Sequence, residues 1–144
     1  MSHFQIKNRA YEQAVRESFA QQGFMDYLGA ILTAVKAGQV IIELPVSPSL
    51  SQQNGYVHAG ATTAIVDSAC GYAAFTLMPP NSEVLTVEFK VNLLSPAQGV
   101  KLRAIGQVLK PGRILTVCQG EVFGVNEADE QMLCAVMTAT IMCR

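Results

Sequence analysis

The sequence predicts an α+β fold in which one antiparallel sheet of about six strands curls around a single long helix, with an extra helix at the N-terminus. Three observations predict it. The stretch from Ala59 to about Met78 is apolar nearly all round and rich in Ala and Gly, so it needs cover on most sides and lets another backbone approach closely. Runs that alternate with a period of two flank it, two before and four after. The last four are joined by short connections, which favour antiparallel pairing. At 144 residues, with no linker, repeat or low-complexity tract, residues 1–144 form one domain.

The elements follow in order. Asn8 can cap a first helix whose apolar residues Tyr11, Ala14, Val15 and Phe19 share one side, with Gly23 as its stop; this helix and its lead-in occupy residues 1–28. Residues 30–36 and 39–45 then read as a hairpin turning at Ala37 and Gly38, and Val40, Ile42 and Leu44 mark its better-buried face. From Val46 to Tyr56 the composition turns polar, which predicts a loop. The central helix spans 59–78 and stops at Pro79 and Pro80. Next, Leu85, Val87, Phe89, Val91 and Leu93 alternate with Thr86, Glu88, Lys90 and Asn92, putting Thr86 on the face opposite the apolar residues unless a bulge near the strand start re-aims it. Strands at 100–108, 114–124 and 132–143 complete the chain, separated by a Pro-Gly turn between Lys110 and Arg113 and an acidic loop from Asn126 to Glu130.

Composition narrows the function. The formal net charge is −1 and the basic residues are scattered, which argues against nucleic acid or anionic lipid as a partner. Four cysteines without a C-x-x-C pair, and two histidines, His3 and His58, predict no metal site; the thiols read as small core hydrophobes. The N-terminus lacks an apolar signal-like region, and Thr62, Thr63, Asp67, Ser68 and Thr76 interrupt the one long apolar stretch, so neither secretion nor a membrane span is expected and a cytoplasmic setting is. An apolar fraction of 50% against 15% charged implies that some apolar surface is buried against another subunit.

The feature that calls for chemistry is Asp67, a single carboxylate amid Ile65, Val66, Ala69 and Cys70. Burial disfavours the charged form, so such a group either has partners or a raised pKa, and a raised pKa suits a base working near neutral pH.

The string from Gly55 through His58, Ala59 and Gly60 to Asp67, nine residues beyond His58, resembles the His-Gly-Gly…Asp signature of PaaI-type acyl-CoA thioesterases, a hotdog-fold family of the 4HBT superfamily. The strand from Thr86, ending in Asn92-Leu-Leu-Ser-Pro96, is similar to that family's third strand, and the likeness runs from about Leu28 to the end. The resemblance implies hydrolysis of an acyl-CoA to the free acid and CoA, without metal or resident cofactor, coenzyme A entering as part of the substrate. It implies that Asp67 acts as general base or nucleophile, and that a backbone N–H at Ala59 or Gly60 donates to the oxyanion. An orienting amide falls on Gln52, with Asn54 as competitor, and Thr86 falls where some relatives hold the attacking water. Ala59 departs from the family's first glycine and adds a methyl where the thioester approaches. His58 reads as a residue that ties the loop to the helix start or contacts substrate. Lys110 and Arg113, with Lys90 and Arg103, are the candidate cations for the CoA phosphates.

Helix geometry adds a subunit. Eight residues at ~1.5 Å each separate Ala59 from Asp67 by roughly 12 Å, too far for one carbonyl to touch both, so a homodimer with a shared site is expected and a tetramer is equally compatible. Nine residues at ~100° put His58 half a turn from Asp67, which disfavours a relay between them within one chain. The alternatives are an acyl-thioester hydratase or dehydratase, which would need His58 to meet Asp67 across a dimer, and a non-catalytic acyl-CoA-binding protein.

Overall fold

The computed structural model describes residues 4–144, so His3 lies outside the described residues. Two short helices, α1 (Tyr11–Ala20) and α2 (Gly23–Leu28), precede the hairpin β1 (Ile31–Lys36) and β2 (Gln39–Pro45). The long helix α3 (Ala59–Phe75) follows, and then β3 (Val84–Leu93), β4 (Lys101–Lys110), β5 (Leu115–Val125) and β6 (Gln131–Cys143). All pairings are antiparallel, in the order β1-β2-β4-β5-β6-β3. Helix α3 lies against every strand from β2 to β6, so the sheet curls around it in the hotdog architecture.

Small residues make that curl possible. Gly106 of β4 and Gly120 of β5 are directly paired beneath the helix. A Cβ on Gly106 would stand 2.3 Å from the Ala69 backbone, and one on Gly120 2.4 Å from Val66. The helix therefore rests on two bare patches of backbone, a closeness that no larger residue allows. Around this contact Val40, Ile42, Leu44, Leu102 and Ala104 are fully buried, as the alternation in β2 and β4 predicts.

Four local expectations are corrected. The first helix is capped by Ala10, without a side-chain cap bond; Asn8 acts earlier, its Oδ1 accepting from the Ala10 N–H at 3.0 Å. Gly23 does not stop a helix but starts α2, because Gln22 turns extended (φ −82°, ψ 95°) and separates the two. The central helix ends at Phe75, three residues short of 78, and a turn carries the chain to Met78. There the buried Thr76 hydroxyl donates to the Ala73 carbonyl and accepts the Gly38 N–H at 2.7 Å, tying the helix end to the hairpin turn. The prolines beyond have no N–H with which to continue it.

The fourth correction concerns β3. Cross-strand partners share a sheet face. Thr86 pairs with the buried Ile141, whereas Phe89 and Leu93 pair with the buried Ala139 and Ala135, so all three face α3. A bulge between Thr86 and Glu88 breaks the period of two and reverses its parity. Leu85 is left on the outer face, and Thr86 joins the inner one rather than opposing it.

Candidate active site

Asp67 sits midway along α3, half-buried, and Thr86 reaches it from β3. The Thr86 hydroxyl donates to Asp67 Oδ1 at 2.8 Å, and no other described side chain donates to the carboxylate. Burial raises the pKa of Asp67, and the Thr86 hydrogen bond offsets part of that rise. The bulge makes this contact, since on unbroken parity Thr86 would point away from the helix. The carboxylate opens on a cavity of about 170 Å³, walled also by Ser68, Gly71, Tyr72, Val84 and Gln22.

A second, larger cavity of about 520 Å³ opens at the start of α3, where Gln52, His58, Ala59 and Thr62 meet Leu93 and Cys134. The polar loop is well ordered by its own bonds. The Gln52 carbonyl accepts the Gly55 N–H and its side-chain Oε1 accepts the Asn54 N–H at 2.5 Å, which leaves the Gln52 amide nitrogen as a donor. Gln52 lines the cavity, whereas the exposed Asn54 does not.

His58 is the N-cap of α3. Its Nδ1 accepts the Gly60 N–H at 2.7 Å, which requires the tautomer with the proton on Nε2. Gly60 suits this cap because a Cβ there would stand 2.9 Å from Nδ1. Its N–H is therefore engaged, while the Ala59 N–H has no acceptor among the described residues and Ala59 lines the cavity. Of the two backbone donors the sequence nominates, Ala59 is the one available in this conformation.

The two cavities have no lining residue in common. Asp67 and Thr86 come together in one, Gln52, His58 and Ala59 in the other. The cations are dispersed. Arg103 is already engaged, its Nε at 2.8 Å from Glu43 and its other nitrogens on Asp129 and Gln131. Lys90 meets Asn92 at 3.4 Å. Arg113 lines a cavity of about 330 Å³ with Lys7, and Lys110 is exposed at the end of β4.

Sequence reasoning missed Gln22, Ser68, Gly71 and Tyr72. The last three sit one, four and five residues after Asp67, on one helix face, and were legible by that spacing. Gln22 was not, because only tertiary packing brings the α1–α2 junction to α3. Among the described residues no group of three His, Cys, Asp or Glu side chains could hold a metal ion, and no helix is long and apolar enough to cross a membrane. The cysteines are free thiols; burial pushes Cys70, Cys118 and Cys134 above the ordinary thiol range.

Against known proteins, residues 54–130 match the thioesterase superfamily, 4HBT. A thioesterase family protein from Silicibacter pomeroyi is 46% identical, with a TM-score of 0.90 over 92% of this chain and 97% of that one. The PaaI protein of the phenylacetic acid degradation operon of E. coli superposes with a TM-score of 0.81 at 16% identity, covering 96% of this chain and 95% of its own. A curated relative from Listeria monocytogenes, named 1,4-dihydroxy-2-naphthoyl-CoA hydrolase, is 22% identical over 78% of this chain and 89% of its own length. The chain belongs to the thioesterase superfamily, as a hotdog-fold thioester hydrolase.

Proposed function

We propose that the protein hydrolyses acyl-CoA thioesters at a site shared between two copies of the chain. The observation that carries this reading is Asp67, an isolated half-buried carboxylate held by Thr86 at the mouth of a small cavity. Asp67 either takes a proton from water or attacks the carbonyl itself, and its raised pKa makes it the stronger base. The Ala59 N–H, at the positive end of the α3 dipole, polarises the thioester carbonyl, and the Gln52 amide nitrogen orients the reactants. The Listeria relative supports a CoA thioester by its name.

Two rulers support the shared site. Along α3 the half-sites are roughly 12 Å apart, and along β3 the seven residues from Thr86 to Leu93 span roughly 20 Å. Strand β3 is one of the two sheet edges, with Leu85, Val87, Phe89 and Leu93 exposed. A second copy added antiparallel along that edge, centred near Phe89 and Lys90, brings its Leu93 end beside Thr86 and so its helix start beside Asp67. Arg113 and Lys110 are the cations we assign to the CoA phosphates, since Arg103 already serves Glu43. No resident cofactor is needed.

The hydratase reading is weaker, because the His58 Nδ1 lone pair is held by Gly60 and Nε2 carries the proton, leaving no free base without opening the cap. Release of free thiol from acyl-CoAs, by the wild type and by Asp67→Asn, tests the proposal. Turnover by the wild type and its loss in a folded Asp67→Asn protein support it; full turnover by Asp67→Asn refutes the role of Asp67, and acyl-CoA binding without turnover points to the binding protein.

A further inference from the structure

A carboxylate that acts as a base needs a water, and a water held in place takes about two to four polar partners. The hydrogen bonds already made around Asp67 decide which groups remain for it. Thr86 has spent its proton on Asp67 Oδ1, and no described side chain donates to Oδ2, which is left to accept from water. Gln52 lies in the other cavity, with the Ala59 N–H. The amide that does line the cavity of Asp67 is Gln22, which the α1–α2 junction brings from far away in sequence.

Gln22 is fixed at both ends of its amide. The Ser68 hydroxyl donates to Gln22 Oε1 at 3.0 Å, and Gln22 Nε2 donates to the Tyr72 hydroxyl at 3.0 Å. Tyr72 is held in turn, with the Ser18 hydroxyl 3.1 Å from its own and with Phe19 and Phe75 edge-on to its ring. An amide ordered in this way needs no further ordering when the reaction begins. An amide oxygen has two lone pairs, and Ser68 fills one of them. The other has no donor among the described side chains, in a cavity that Gln22 shares with the unfilled oxygen of Asp67.

We propose that Gln22 is a catalytic residue that holds the attacking water against Asp67. The assignment rests on the thioesterase reading above. The water gives one proton to Asp67 Oδ2 and the other to the free lone pair of Gln22 Oε1, which leaves its own lone pairs for the thioester carbonyl carbon. With one acceptor a water still rotates; the second fixes its plane. The cavity of about 170 Å³ has room for it, since a water takes up ~30 Å³. As the new C–O bond forms, Asp67 takes the first proton. The tetrahedral intermediate then breaks its C–S bond, Asp67 returns that proton to the CoA thiolate, and the acid leaves with the second proton. Gln22 is unchanged throughout.

Methanol tests the assignment, because it has one proton for Asp67 and no second one for Gln22. Thiol release from acetyl-CoA, benzoyl-CoA and dodecanoyl-CoA selects the best substrate, and its products are then analysed with methanol added. The ratio of methyl ester to free acid does not move with the fraction of folded protein. The wild type is expected to give acid almost alone. Gln22→Met, which keeps the length and removes both polar atoms, should lower kcat about tenfold with KM unchanged and raise the ester-to-acid ratio about tenfold. If Gln22→Met does not fold, Ser68→Ala decides instead: it loosens Gln22 Oε1, and the ratio should rise in the same direction. An unchanged ratio in the folded variants overturns the assignment. So does labelled oxygen in the Asp67 carboxylate after turnover in isotopically heavy water, which would make Asp67 the nucleophile. In both cases thiol release by the wild type leaves the thioesterase reading standing. A wild type that releases no thiol from any of the three removes both.

Discussion

Asp67 and Ala59 belong to one helix, yet their surroundings differ in kind. Around Asp67 the chain gathers a hydroxyl on the carboxylate, a polar network behind it and a cavity of about 170 Å³. Around Ala59 it leaves an open end, where the cap engages the Gly60 N–H and leaves the Ala59 N–H facing a larger, more apolar cavity. A carboxylate must be desolvated and held before it can act as a base, which takes several elements of one chain. A helix end needs no such construction, because its N–H groups are unpaired by geometry. In the proposed shared site, the helix end that lacks a base is the part that a second copy would complete.

The largest expected effect breaks the first half-site. Asp67→Asn should lower kcat by about 10³-fold while raising Tm by a few degrees. Burial lifts the carboxyl pKa above its unfolded value, so stability from this group is present below the unfolded pKa and lost as pH rises through the folded one. At neutral pH the charged form is a net cost, which Asn removes; a melt and a rate measurement on the same sample check both signs. Mixing inactive Asp67→Ala and Gln52→Ala subunits tests the division itself. Random reassortment of a two-fold dimer should regenerate roughly a quarter of wild-type activity. No recovery in mixtures whose heterodimers are demonstrated would put both half-sites in one chain.

Smaller effects sharpen the contrast. Thr86→Val removes the bond that favours the charged carboxylate, so kcat should fall about tenfold and the acid limb of the pH–rate profile should move to higher pH. That limb is already above the ordinary carboxylate range in the wild type, because activity is lost as pH falls through the raised pKa. His58→Ala removes the cap of α3 and should cost about 1 kcal/mol of stability, read by denaturant unfolding.

Much of this was legible in the residues. The apolar helix flanked by alternating runs defined the sheet and what it wraps, and the interval from His58 to Asp67 set the separation of the helix start from the carboxylate. The parity of β3 misled, because alternation alone puts Leu85 through Leu93 on one face. The bulge at Val87 costs one residue of register and leaves no mark in composition, yet it decides whether Thr86 meets Asp67. Likewise Arg103 looked free as a cation until Glu43 was found 2.8 Å from it across β2 and β4.

By itself the sequence determined the helix, the strands, the lone carboxylate and the distance that separates it from the helix start, because those depend on periodicity and on rise per residue, which are local. Only the tertiary structure decided that Thr86 holds Asp67, that His58 engages the Gly60 N–H, and that Gln22 closes the cavity from 45 residues away. Those contacts depend on where strands break register and which loop folds over which helix, and the energy that selects them comes from packing the whole chain at once.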